Sequence, residues 1–206
     1  MVAPMSTSTY PSRFVMLVLL LSLIAWAGKA EAQSAAPPGP GDFNVAVWGG
    51  YATAKVDCGN CEAGATYRDT WQAGVTPLWR VNNKVLAGVE FVYQPSSKAN
   101  RSRSSSLLAS VMFHPWATSG FYLKGGYGLT WVRTTFTVDG VDQKDKFNGM
   151  AVNYGIGWRF RQHNRVSLGL FGSHYITTAG TVHVQSFEAV NVIGNGWVGG
   201  VSVFLR

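Results

Sequence analysis

Residues Phe147–Arg161 read FNGMAVNYGIGWRFR, and taking every second residue sorts them into two sets. Met150, Val152, Tyr154, Ile156, Trp158 and Phe160 are apolar or aromatic. Gly149, Ala151, Asn153, Gly155, Gly157 and Arg159 are small, polar or cationic. Successive side chains along a strand point to opposite faces. The stretch is therefore a β-strand with one greasy face and one face of small and polar groups. Which face turns inward decides the kind of protein.

The rhythm continues on both sides. It predicts strands at Phe43–Thr53, about Tyr67–Arg80, Lys84–Gln94, Ser106–Trp116, Phe121–Thr135, Phe147–Arg161, Arg165–Thr177 and Asn195–Leu205. Phe171, Tyr175, Leu108 and Met112 fall on the wrong face of this pattern. Short connections near Asn82-Asn83, Ala117–Gly120 and Gln162–Asn164 alternate with long ones at Lys55–Thr66, Pro95–Ser105, Val138–Lys146 and Thr178–Gly194. Short turns at one end and long loops at the other suit an up-and-down barrel in an outer membrane. Composition agrees. The chain has 24 Gly, 8 Trp, 8 Tyr and 11 Phe, and only 13% charged residues, against about 25% in an average soluble chain. A net charge of +7 suits anionic lipid head groups; no nucleic-acid motif accompanies it.

The apolar face is expected to point outward. An eight-stranded barrel encloses only enough room for side chains to fill it. The apolar faces carry Trp71, Trp79, Phe91, Tyr93, Phe113, Phe121, Tyr127, Trp131, Tyr154, Trp158, Phe160 and Trp197, too many large rings for such an interior. Toward water, this belt would far exceed the few hundred Å² of apolar patch that a soluble monomer exposes. Toward lipid, each large side chain gains roughly 1.5–3 kcal/mol of burial. No Asp, Glu, Lys or Arg stands on the apolar face at mid-segment, where a charge would cost about 2–4 kcal/mol.

These strands, above all GMAVNYGIGWRF and NGWVGGVSVFL, resemble the small eight-stranded outer membrane β-barrels, the family of the outer membrane protein A and X barrels. The last strand is similar to the family's C-terminal assembly signal, with Trp197, Val201, Val203 and Leu205 in alternate places. That signal usually ends in Phe, whereas here Phe204 is followed by Leu205 and Arg206. The resemblance implies an all-β, eight-stranded antiparallel transmembrane barrel over residues 42–206, integral in a bacterial outer membrane. It implies no periplasmic peptidoglycan-binding role.

Ahead of the barrel, residues 1–32 read as a signal peptide. Arg13 precedes the apolar run Phe14–Ala27, and Ala30-Glu31-Ala32 supplies a small-x-small cleavage pattern before Gln33. The run is shorter than the ~20 apolar residues of a spanning helix. Residues 33–41, QSAAPPGPG, read as a linker.

Few residues suggest chemistry. Cys58 and Cys61 lie in the first long loop, and behind a secretion signal they are expected to form a disulfide rather than a redox pair. Glu90 is the lone acid at mid-strand on an inward face, with Lys124 and Arg159 as inward cations on other strands. A buried carboxylate needs a partner, so these three are expected to form an ionic cluster that plugs the lumen; the other reading is an ion path. Lys98, Arg101 and Arg103 stand in the Ser-rich loop PSSKANRSRSSS and could meet lipopolysaccharide phosphates. Lipid A deacylases, also small outer membrane barrels, carry His-x-Ser-Asn near a strand rim. Here His174 is followed by Tyr175, Ile176 and Thr177, so the serine nucleophile is missing, and Ser173 points to the other face. His114, His163 and His183 form no metal spacing. The sequence thus predicts a monomeric, non-enzymatic barrel without cofactor, metal or nucleic-acid partner. Its role would be structural or surface interaction through extracellular loops. A narrow channel is the second reading and a lipid-modifying enzyme the third.

Overall fold

The computed structural model describes residues 42–57, 68–95, 103–116, 119–138, 141–160, 166–184 and 187–206. The segments read as signal peptide and linker lie outside the described residues, as do Cys58, Cys61, Lys98 and Arg101. The strands are β1 (Phe43–Asp57), β2 (Arg68–Arg80), β3 (Val85–Gln94), β4 (Arg103–Phe113), β5 (Phe121–Val138), β6 (Val141–Phe160), β7 (Val166–Val184) and β8 (Phe187–Leu205). Each pairs antiparallel with its neighbour in sequence, and β8 pairs with β1, closing an eight-stranded barrel. Closure satisfies every strand edge without a partner chain.

Local chemistry sets the short connections. The Asn82 Oδ1 atom accepts the backbone N–H groups of Lys84 and Val85 at 2.8 and 2.9 Å, the Asx geometry that turns β2 into β3. The Ser119 Oγ atom accepts the Phe121 N–H at 3.2 Å and starts β5.

The outward face is as expected. Val47, Tyr51, Trp71, Phe91, Leu107, Tyr127, Leu129, Ile156, Trp158 and Trp197 are all exposed on the barrel wall. The interior differs from the expectation of small residues with a few long polar chains. Trp48, Tyr122, Tyr175 and Phe204 are buried inside, with Leu78, Leu86, Leu108 and Met112. The residues that broke the alternation are therefore interior groups. Inward glycines leave room for them. A Cβ on Gly74 would stand 2.5 Å from two ring carbons of Trp48, and one on Gly157 would collide with the Tyr122 ring.

Two of the four connections expected to be long are instead mostly strand. The β5–β6 ladder continues to Val138↔Val141, and the β7–β8 ladder to Val184↔Phe187, past bulges between Thr178 and Val182. About 9–11 residues span an outer membrane. With 10 and 11 residues, β3 and β4 barely suffice, whereas β5 to β8 have 18 to 20. The extra residues carry no apolar alternation because they have no greasy face to bury. Runs such as Thr134-Thr135-Phe136-Thr137-Val138 keep β-branched and aromatic side chains that favour pairing. Periodicity fades there while hydrogen bonding persists.

Candidate functional site

The centre of the lumen is organised around Glu90, which is fully buried. Its register partner on β4 is Leu108, and Leu108 pairs with Gly128 on β5. Lys124 lies four residues along β5 from that level. Two extended side chains in a narrow lumen close the gap, and the Lys124 ammonium forms an ion pair with the Glu90 Oε1 atom. Asn153 on β6 donates through Nδ2 to Glu90 Oε2 at 2.7 Å. The Tyr175 hydroxyl on β7 donates to Glu90 Oε1 at 3.3 Å and accepts from Asn153 Nδ2 at 3.2 Å. Trp48 on β1 completes the layer, with the Lys124 ammonium 5.0 Å from its ring centroid and the Tyr175 ring 6.3 Å away. One carboxylate thus gathers donors from β5, β6 and β7. A buried ion pair offsets its desolvation only when its remaining lone pairs are satisfied in this way.

Arg159 sits one layer nearer the chain termini. Its guanidinium lies 4.6 Å from the Phe204 ring centroid and donates to the Ser167 hydroxyl at 3.2 Å. Tyr122 meets Phe204 edge-on at 5.9 Å, and the His114 ring lies tilted against Tyr122 at 5.9 Å. His114, in the β4–β5 turn, is pushed down to about 4 by burial, with Arg159 and Arg80 adding repulsion. Between this layer and the Glu90 layer lies a cavity of about 10 Å³, lined by Trp48, Tyr122, Lys124 and Phe204 among others, room for one water at most. Toward the far end, Gln72 donates to Gln94 at 2.8 Å and Ser106 to Thr130 at 2.9 Å, so the interior is more polar there.

The sequence pattern named Glu90, Lys124 and Arg159 and put Asn153 on the inward face, but it did not join Asn153, Tyr175 or Trp48 to the Glu90 cluster. Two signals pointed to the aromatic pair: Tyr175 broke the alternation of its strand, and Trp48 lies one residue out of phase with Val45, Val47 and Tyr51. Of the expected anion-contacting residues, Arg103 is described, exposed at the start of β4.

His174 lies on the outward face, yet it is buried. The rings of Trp197 and Tyr154 cover it at 4.4 and 5.1 Å, and its Nε2 meets Asn195 Oδ1 at 2.5 Å. Ser173 is buried on the opposite face, against Gly155. A nucleophile and base across a barrel wall cannot meet. Among the described residues no group of three or more His, Cys, Asp or Glu could hold a metal ion.

The model of the outer membrane protein beta-barrel domain family matches residues 16–192. The chain belongs to this family. Solved structures agree on the fold. Neisserial surface protein A is similar at 18% identity and a TM-score of 0.50, over 81% of this chain and 99% of its own. Ail, the attachment invasion locus protein of Yersinia pestis, is similar at 14% identity and a TM-score of 0.55, over 81% of this chain and 100% of its own. No curated protein matches by sequence. Membership makes this an integral bacterial outer membrane barrel and explains the exposed apolar wall. Phe43 and Trp79 at 5.3 Å and Phe121 and Trp158 at 6.4 Å belong to a girdle at the termini end; Trp71 and Tyr93 at 6.4 Å belong to the other. Aromatic rings of this kind mark the two membrane interfaces.

Proposed function

We propose that the protein is a non-enzymatic, monomeric outer membrane barrel with a shut lumen, acting as a structural element or in surface interaction. Secretion would remove residues 1–32, and Cys58 and Cys61 would close a disulfide in the first extracellular connection. The observation that carries the reading is the filled interior: the Glu90 layer spans the lumen, and the cavity beneath it holds one water at most. Hydrated ions need more room than that. Two further observations support it. The β5–β6 and β7–β8 hairpins raise paired backbone well beyond the membrane span, which suits presentation to a partner. The outward histidine is paired with Tyr154 and Trp197 and among the described residues has no register partner that is a serine, which disfavours the lipid-modifying enzyme. Lipopolysaccharide phosphates are the proposed anionic partner of Lys98, Arg101 and Arg103.

Single-channel recording in planar bilayers tests the closed wall. The expected result is a flat baseline from protein whose cold and boiled forms migrate differently on SDS gels. Discrete conductance steps would replace this reading with that of a narrow channel.

A further inference from the structure

On one side of the wall, three rows of outward side chains are stacked across β3 to β6. The lowest is apolar: Phe91, Leu107, Leu129 and Met150 are register partners in turn. Two residues higher come Tyr93, Ser105, Trp131 and Asn148. Two residues higher again, Arg103 pairs with Arg133 and Arg133 with Lys146. All three cations are exposed, and none has a carboxylate or hydrogen-bond partner among the described residues. Like charges placed directly opposite on one sheet face repel, so this row is unfavourable unless an anion bridges it. On the other flank β2 carries Ala73 opposite Tyr93, and two residues higher β2 and β1 present Trp71 and Tyr51, so the basic row is a local feature and not a ring. Tyr93, Arg103, Ser105, Trp131 and Arg133 enclose an open cleft of about 370 Å³, within the range of small-molecule sites.

Height identifies the occupant. Arg103 is ten residues from Phe113, at the termini end of β4. At about 3.3 Å per residue and a tilt near 40° this is roughly 25 Å, the height of the apolar band itself. The cleft therefore opens at the outer-leaflet head groups, with apolar side chains below it where acyl chains run. The geometry points to a site for a phosphorylated glycolipid of the outer leaflet: Arg103 and Arg133 grip its phosphate, Lys146 adds charge, and the chains lie on Leu107 and Leu129. Guanidinium forks suit the paired oxygens of a phosphate. This inference rests on the phosphate contact proposed above and moves it from the Ser-rich loop to the barrel wall.

Titration of the folded full-length protein in micelles with bis-phosphorylated lipid A, and with the dephosphorylated lipid as reference, tests it. Arg133→Gln with Lys146→Gln is expected to weaken binding of the phosphorylated lipid by about tenfold or more, the loss of charge-assisted hydrogen bonds. Binding should then resemble that of the reference lipid. Arg133→Lys should lie between, because charge remains and the fork is lost. Lys98→Gln with Arg101→Gln should change little. If the loop pair abolishes binding and the wall pair does not, the wall site is wrong while the phosphate contact stands. If neither pair matters, both fail. Displacement of the lipid by millimolar inorganic phosphate would overturn the lipid as occupant. Both wall residues face outward, so the variants should keep the heat-dependent gel shift that certifies a folded barrel.

Discussion

Val89 and Glu90 are neighbours in the chain at one depth of the barrel, and they live in different solvents. Val89 is 40% exposed on the wall, where lipid is its surroundings and shape complementarity to a partner is not required. Glu90 is fully buried in the lumen, where each oxygen has its own donor. The outer face is specified by class: any large apolar side chain gains burial in lipid. At Glu90 the inner face is specified atom by atom, because an unmatched charge there has neither water nor lipid to accommodate it, whereas neutral atoms such as Trp48 Nε1 and Asn153 Oδ1 have no hydrogen-bond partner among the described residues.

The largest break in that contrast should come from Glu90→Gln. It leaves the Lys124 ammonium buried without a carboxylate and is expected to cost about 3–5 kcal/mol, read from urea unfolding in lipid vesicles. Adding Lys124→Met should recover part of the loss. If the single variant unfolds like the wild type, the interior is wet and the specification by atom is illusory. Next is Val89→Arg, a charge on the lipid side, expected to cost about 2–4 kcal/mol near the midplane with no second substitution in the lumen able to rescue it. Gly74→Ala sharpens the comparison by testing shape alone. Its Cβ would stand 2.5 Å from the Trp48 ring, an overpacking expected to cost about 1–3 kcal/mol, partly relieved by Trp48→Leu.

The smallest effect concerns His114, at the edge of the interior. Its folded value, pushed down to about 4, lies below the ordinary value near 6.5, so the fold favours the neutral ring. Stability from this group is full above about pH 6.5. It falls as the pH drops toward 4, because the unfolded chain takes up the proton first. Denaturant midpoints across this window should decline less in His114→Phe than in the wild type.

The two faces also differed in how readable they were. Alternation in Phe147–Arg161 fixed the outward set, because lipid rewards every apolar residue at every second place. The same rule made Glu90 and Lys124 legible as inward charges. It could not say that Asn153 and Tyr175 would join them, since a hydrogen bond across the lumen depends on barrel shear and no strand carries that alone. Trp48 and Tyr122 were missed because their space is made by Gly74 and Gly157 on other strands, and a hole is invisible in the strand that fills it. The extended β5–β6 and β7–β8 ladders were read as loops because backbone pairing there has no periodic side-chain signature.

The ion pair in the lumen has a further consequence for how the barrel is assembled. A slip of one residue between neighbouring strands exposes the error at once, since every side chain changes face. A slip of two is subtler: apolar residues still meet lipid and small ones still point inward. Greasiness alone cannot tell the right rung from the next. Glu90 can, because a two-residue shift of β3 against β5 carries its carboxylate roughly 7 Å from the Lys124 ammonium and strands both charges. The donors from β6 and β7 extend the same check to strands made later in the chain. The carboxylate thus proofreads alignment in a fold whose outer surface forgives misalignment.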